Sequence, residues 1–281
     1  MPELPEVESI RLQLEKYLHD HQVEKVDVTY KNFEGSPKSL VGGKIKNVRR
    51  FGKVLSLDFD NGFSLVIHIK LTGQLIYRGP NLKNPPILSK KVAGGAPGRH
   101  THVIFHLDKK GKLFYNDVRR FGWIKIVKTD EVPKIGFIGK LGPEPLGGLS
   151  LEIFEKIISS TKRSIKTLLM DQSKIGGVGN IYANDALNLA KIHPEKPASA
   201  LKGDETEKLF KAIEKVLKEG LKRGGASELA FVTPDGSEGG YQKYFLVYGR
   251  EGAKCKNCGG IIKKVWTAGR GTYFCPNCQK K

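Results

Sequence analysis

The last 27 residues constrain this chain more than any other stretch. All four of its cysteines lie there, as Cys255-x2-Cys258, sixteen intervening residues, then Cys275-x2-Cys278. A Cys-x2-Cys turn offers two thiolates to one side, and two such turns complete the sulfur tetrahedron of a structural zinc ion. The intervening GGIIKKVWTAGRGTYF suits a hairpin between the turns. Two disulfides are the alternative in a secreted chain. The acidic N-terminus lacks the basic and apolar regions of a secretory signal, which favours metal. With Cys255, Cys258, Cys275 and Cys278 all bound, no coordination position is left for catalysis, so one structural zinc ion is the expected cofactor.

Residues 251–281 hold seven Lys or Arg against one Glu, in a segment too short to build its own core. The whole chain shares the bias, with 48 basic against 29 acidic residues, a net charge of +19 and a pI near 9.7. A surplus of that size on 281 residues points to a polyanion, and a small cationic hairpin is a good phosphate clamp. No apolar run approaches the roughly 18 residues of a membrane helix. A soluble cytoplasmic protein, associated with the nucleoid when bound to DNA, is expected, with no membrane partner.

The rest reads as two regions of different period. Residues 1–20 form a helix with Val7, Ile10, Leu14 and Leu18 on one face. From about 23 to 128 come short alternating segments (VEKVDVTY, VLSLDFD, FSLVIHI, THVIFHL, KLFYND, WIKIV), the pattern of a β-sandwich or barrel. Residues 79–99, rich in Pro and Gly, read as a surface excursion. KIGFIGKLGPEPLGG reads as a linker. Beyond it the period is helical: a helix capped by Ser150, two more at 164–170 and 181–190 joined by DQSKIGGVGN, and a longer one through Leu209 to Leu221. The following GGASELAFVTPDGSEGGYQKY reads as mobile. The expected domains are 1–132, a linker at 133–149, a helical domain at 150–249 and the zinc hairpin at 250–281.

The opening MPELPEVES fits a helix start, with Pro5 in the first turn and Glu6 and Glu8 near the positive end of the dipole. That leaves Pro2 without a role.

Five motifs supply one. PELPEVE at the start, NDVRRFGW (116–123), LGPEPL (141–146), GVGNIYANDAL (177–187) and the four-cysteine hairpin occur in order along the chain. Together they resemble the bacterial formamidopyrimidine-DNA glycosylases, which remove oxidised purines such as 8-oxoguanine. The resemblance implies an α+β fold: an N-terminal helix and β-sandwich, a helical domain with a helix–two-turn–helix, and a zinc hairpin. It implies a bifunctional glycosylase and AP lyase acting on double-stranded DNA with oxidised bases, and a monomer is expected. Removal of Met1 would make Pro2 the N-terminus and its secondary amine a nucleophile. An α-amine titrates near pH 8, so a useful fraction is unprotonated at neutral pH. Attack on C1′ gives an iminium, and the strand breaks by β- and δ-elimination.

By the same resemblance Glu3 is the proton donor that opens the sugar, Lys53 in RRFGKVL the donor for β-elimination, and Arg270 the residue for δ-elimination and phosphate contact. Asn180 resembles the asparagine that holds phosphate at the helix–two-turn–helix, where a Gly-rich turn opening a helix offers N–H groups to an anion. His68, His100, Arg119, Lys162 and Tyr248 fall at further DNA-contact positions. Leu71, Arg119 and Phe121 fall where side chains fill the gap left by a flipped nucleotide. From the residues alone, Lys53 reads as a strand-edge lysine, His68 as a satisfied strand histidine, Phe121 as β-core and Arg119 as a surface charge. One stretch departs from the family pattern. HIKLTG stands where HLGMTG is usual, placing Leu71 at the methionine wedge and Lys70 at a glycine. Two other readings are an endonuclease VIII-type enzyme for oxidised pyrimidines, whose start is PEGPE and not PELPE, and a non-catalytic zinc protein that only binds DNA.

Overall fold

A computed structural model describes residues 1–280; Lys281, the last residue of the expected zinc segment, lies outside the described residues. The chain forms two compact units. The first is Met1–Gly139 with Arg223–Gln242; the second is Lys140–Lys222 with the chain from Lys243 onward. The expected boundaries differ: the Gly-rich stretch after the long helix folds with the first unit, the expected linker is divided between the two at Gly139, and the zinc hairpin belongs to the second unit and is not separate.

In the first unit, helix α1 (Leu4–Leu18) precedes nine strands: β1 (Val23–Val28), β2 (Phe33–Glu34), β3 (Ile45–Phe51), β4 (Val54–Phe59), β5 (Phe63–His68), β6 (Gly73–Arg78), β7 (Thr101–Leu107), β8 (Lys112–Asp117) and β9 (Trp123–Lys128). They form two sheets, in the orders β1-β7-β8-β6 and β2-β9-β5-β4-β3. Alternate residues of both sheets, such as Leu55, Leu57, Leu65 and Ile67 from one and Leu75, Val103, Phe105 and Leu113 from the other, share a single core with Val7, Ile10 and Leu14 of α1. That is the sandwich arrangement, in which inward positions alternate with outward ones.

The outward faces are covered as well. Val54 and Val66 pack beneath Val132 and Ile138, so the start of the expected linker lies across a sheet. On the other sheet, Ile76 and Phe114 are roofed by Val92 of the Pro/Gly excursion and by Val232. The stretch read as mobile is therefore anchored. Phe231 enters the main core, Tyr77 N donates to Pro234 O at 2.8 Å, and Gln74 Nε2 donates to Ala230 O at 2.6 Å. Two apolar anchors in a Gly-rich polar run are too few to register as periodicity.

The second unit contains α2 (Leu151–Ser159), α3 (Ile165–Leu169), α4 (Asn180–Leu189), α5 (Asp204–Lys222) and the hairpin β10 (Lys263–Thr267)–β11 (Arg270–Phe274). Ser150 caps α2, accepting from Ile153 N at 3.2 Å. Helix α4 organises the unit through a polar stripe at four-residue spacing. Asn180 Nδ2 donates to Gly271 O (3.1 Å), Asn184 Oδ1 accepts from Tyr273 N (2.8 Å), and Asn188 Nδ2 donates to Gln279 Oε1 (2.8 Å). One step along, the fully buried Asp185 carboxylate accepts from the amides of Leu246, Val247 and Tyr248 at 3.0, 3.0 and 3.2 Å. These bonds dock the whole C-terminal segment on one helix.

Asp185→Ala strands those buried amides without an acceptor. Bonds to a charged partner contribute about 1.5–3 kcal/mol each, so a loss of at least ~3 kcal/mol is expected, with Asp185→Asn less damaging. Thermal melting of the zinc-loaded protein measures it; an unaltered midpoint would refute the docking role.

Candidate active site and nucleic-acid interface

The first unit gathers its candidate catalytic residues around the chain's amino end. Pro2 is buried, and Glu3 and Glu6 are 3% and 1% exposed. Glu6 closes the helix start by accepting from Glu3 N at 2.7 Å, and its other oxygen accepts from Ala226 N at 2.7 Å. A Cβ on Gly225 would fall 2.8 Å from Glu6 Cγ, and its φ is +84°, so only glycine lets the 223–242 segment come this close. Lys53 arrives from the sheet. Phe51 pairs with Val54, leaving Gly52-Lys53 as a two-residue turn with glycine at positive φ in the first position, as a type II′ turn requires. Lys53 is 3% exposed, not a strand-edge lysine. The turn is held by Arg50, which pairs with Glu8 of α1 at 2.8 Å and donates to Gly52 O at 3.0 Å.

The Met1 amine lies among these groups. Burial lowers its pKa from the usual 8.0; Glu3, Glu6 and Glu228 oppose that, and the Lys53 charge reinforces it. The same lysine acts on His68. Burial, with Lys70 and Lys53 adding repulsion, depresses His68 to about 3, so its imidazole is neutral. Its Nδ1 lies 3.1 Å from Lys70 N and accepts from it, which assigns the proton to Nε2, and the ring packs edge-on against Trp123 and Phe137.

Leu71, Arg119 and Phe121 occupy two neighbouring loops fastened by one carboxylate. Asp117, fully buried at the end of β8, accepts from Thr72 Oγ1 (2.5 Å), Tyr30 Oη (2.9 Å) and Gly122 N (2.9 Å). Thr72 in turn accepts from Arg119 N at 3.0 Å. The loops are rigid at the base and open at the tip. Phe121 is 53% exposed, with the Arg119 guanidinium 4.7 Å above its ring, so it is no part of the β-core. Leu71 is half-buried, and Lys70 before it takes the left-handed conformation (φ 49°) that glycine would adopt without cost. His100 is half-buried, beside Arg99, and its carbonyl accepts from Asp117 N.

In the second unit, Asn180 opens α4 after Gly179, and its side chain reaches the hairpin carbonyl of Gly271. Arg270 is exposed. It opens β11 opposite Thr267, one step beyond the Ala268-Gly269 turn, whose φ values of 49° and 71° are those of a type I′ turn. Lys162 is exposed beside the α3 start, and Tyr248 is half-buried between Phe245 and Tyr273. The sulfurs of Cys255, Cys258, Cys275 and Cys278 lie within 4.8 Å of one another. A tetrahedral zinc with bonds of about 2.3 Å sets its sulfurs about 3.8 Å apart, which this cluster matches. Burial and the neighbouring sulfurs push the Cys278 thiol up to about 12, a repulsion that a divalent cation relieves.

Three family models cover most of the chain in order: the formamidopyrimidine-DNA glycosylase N-terminal domain over residues 1–124, its H2TH domain over 141–231, and the zinc finger found in FPG and IleRS over 252–281. The chain belongs to the formamidopyrimidine-DNA glycosylase family. It is 41% identical to the formamidopyrimidine-DNA glycosylase of Desulforamulus reducens over 288 aligned positions, covering 100% of this chain and 99% of the relative. Among solved structures it resembles the MutM (Fpg) protein of Thermus thermophilus (TM-score 0.87, 34% identity, 100% and 99% of the two chains covered). It also resembles a complex of Lactococcus lactis Fpg with DNA containing an abasic site (TM-score 0.86, 34% identity, 99% and 100% covered). The chain is therefore a DNA glycosylase of this family with a four-cysteine zinc finger.

In each unit, residues that position the candidate side chains are not marked by the sequence. Glu6 was legible only as a helix-start carboxylate, although its three-residue spacing from Glu3 is a capping signal. Thr72 and Asp117 lie inside HIKLTG and NDVRRFGW, but nothing in those motifs marks them as the anchors of the loops, and nothing local marks Lys166. Lys166 is 1% exposed and holds the hairpin through Gly271 O at 3.0 Å and Thr272 Oγ1 at 2.6 Å.

The depressed His68 pKa makes a stability prediction. Unfolded, the imidazole takes up a proton below about pH 6.5; folded, it resists until about 3. Stability is therefore intact above about 6.5 and lost as pH falls toward 3, by on the order of 2 kcal/mol between pH 7 and 5. Denaturant titrations should show His68→Gln flattening that limb. An unchanged slope would mean that His68 titrates normally in the fold.

Proposed function

We propose that the chain, once Met1 is removed, excises oxidised purines such as 8-oxoguanine and formamidopyrimidines and then cuts the strand. The carrying observation is the burial of Pro2, Glu3, Glu6 and Lys53 together at the head of α1, around the Met1 amine. Pro2 inherits those neighbours. Its unprotonated secondary nitrogen attacks C1′ and the damaged base leaves. Glu3 protonates the sugar ring oxygen as the ring opens, yielding a C1′ iminium. The iminium acidifies the C2′ proton, and its loss expels the 3′-phosphate, with Lys53 moving the proton in this β-elimination. Arg270 then serves the second, δ-elimination. His68, His100, Lys162, Asn180 and Tyr248 contact the DNA. Leu71, Arg119 and Phe121 fill the space of the extruded nucleotide.

The Pro2 amine must be unprotonated to attack; it takes the place of the Met1 amine, whose pKa burial lowers, and the same burial sets the acidic limb of the reaction. Borohydride trapping of the protein–DNA imine should rise with pH and reach half its maximum below about 8. Lys53→Met removes a neighbouring positive charge, so the amine holds its proton more tightly and the midpoint should move up. Glu3→Gln should bind lesion DNA yet release the base roughly 10²- to 10⁴-fold more slowly. Trapping through a chain with a blocked N-terminus would sink the Pro2 assignment.

Phe121→Ala distinguishes a wedge from a core residue. Because the ring is exposed, the unfolding free energy should stay nearly constant, not fall by the roughly 3–5 kcal/mol of a core deletion. Excision from paired duplex should slow, while cleavage of a pre-formed abasic site stays near normal. Equal loss on both substrates would contradict it.

A second reading has one observation in its favour. The Lactococcus lactis Fpg (34% identity, TM-score 0.85, 100% of both chains covered) has been solved with an oxidised pyrimidine in DNA. Parallel assays on 8-oxoguanine and thymine-glycol duplexes decide whether pyrimidine lesions are substrates here too.

A further inference from the structure

Trp266 is 71% exposed on β10 of the zinc hairpin, a surplus of open aromatic surface that the fold itself does not use. A tryptophan retained for stability is buried, since its contribution comes from area removed from water. Directly across the ladder stands Gly271, which offers no side chain to cover the indole. On the same strand face, Lys264 places its ammonium 5.3 Å from the Trp266 ring and 5.6 Å from Tyr273, and Tyr273 packs edge-on against Tyr248. The row is braced from behind and open in front.

The charge around it selects the occupant. Residues 251–281 carry seven basic side chains and one acidic, so a polyanion is drawn to this hairpin. Arg270 pairs with Thr267, one position along the ladder from Trp266, and side chains alternate between faces along a strand. The arginine and the indole therefore stand on opposite faces of one hairpin tip. A tip that meets DNA presents a cation on one side and an aromatic plane on the other.

We propose that Trp266 is a DNA-contacting residue whose indole stacks on a nucleobase of the DNA that Arg270 holds by a phosphate. The proposal rests on the DNA-repair reading above. Stacking on a base is indifferent to its identity, so the contact strengthens binding without reading sequence.

The test uses the full zinc-loaded chain and a duplex with one tetrahydrofuran abasic analogue. W266A should weaken binding roughly 5- to 150-fold, the range for loss of one base–aromatic stack. The dependence of log K on log salt should not change, because no phosphate contact is lost. R270A should instead reduce that slope by about one. The chain has two tryptophans, so 5-fluorotryptophan labelling gives two resonances. The one missing from W266F should shift when the duplex is added. If W266A loses zinc, the pair W266F and W266L carries the test: phenylalanine should restore binding and leucine should not. Native-like binding by W266A, equal binding by W266F and W266L, or a reduced salt slope in W266A overturns the proposal. A native chain that does not bind the duplex, with R270A making no difference, would instead overturn the DNA-repair reading.

Discussion

The Glu6 carboxylate joins the first turn of α1 to the segment 223–242, which follows the long helix in sequence. It is 1% exposed, and each of its oxygens accepts a backbone N–H, one from Glu3 and one from Ala226. Burying a carboxylate is costly unless hydrogen bonds replace its water, so neither partner can move off without stranding a charge. The terminal amine, the helix start and residues 223–242 are thereby fixed as one body. The low-dielectric setting that depresses the amine depends on that closure, as does the near-contact at Gly225.

A second carboxylate does comparable work at the loops. Asp117 gathers donors from Tyr30, Thr72 and Gly122, and its neighbours leave Phe121 and Arg119 projecting outward. The fold separates a buried, fully bonded base from exposed tips. Side chains that meet a ligand can be presented without spending their own packing, because the rigidity comes from residues one layer behind. The zinc hairpin repeats the pattern, with Lys166, Asn180 and Asn184 holding its inner edge and Arg270 left at the surface.

Legibility followed how locally each element is specified. Strands Thr101–Leu107 and Lys112–Asp117 match the segments read from alternation, and α4 follows the periodic run after its Gly-rich turn. Strands β3 and β6 went unread for opposite reasons. Arg49 and Arg50 break the apolar pattern of the first, and the second, Gly73–Arg78, is buried on both faces and shows no alternation. The Gly-rich run 223–242 looked like solvated loop, because the carbonyls and amides that hold it find partners more than 130 residues away, such as Gln74 and Glu6.

Composition and spacing alone determined that this chain meets a polyanion and folds a four-sulfur metal hairpin. Net charge sums without regard to position, and two Cys-x2-Cys turns are local geometry. The ordered motifs further pointed to the family. Tertiary structure alone decided that Lys53 is buried near the amine and not at a solvated edge, that His68 is neutral, and that Phe121 stands outside the core. Those are statements about desolvation and proximity, which arise only when segments distant in sequence exclude water together.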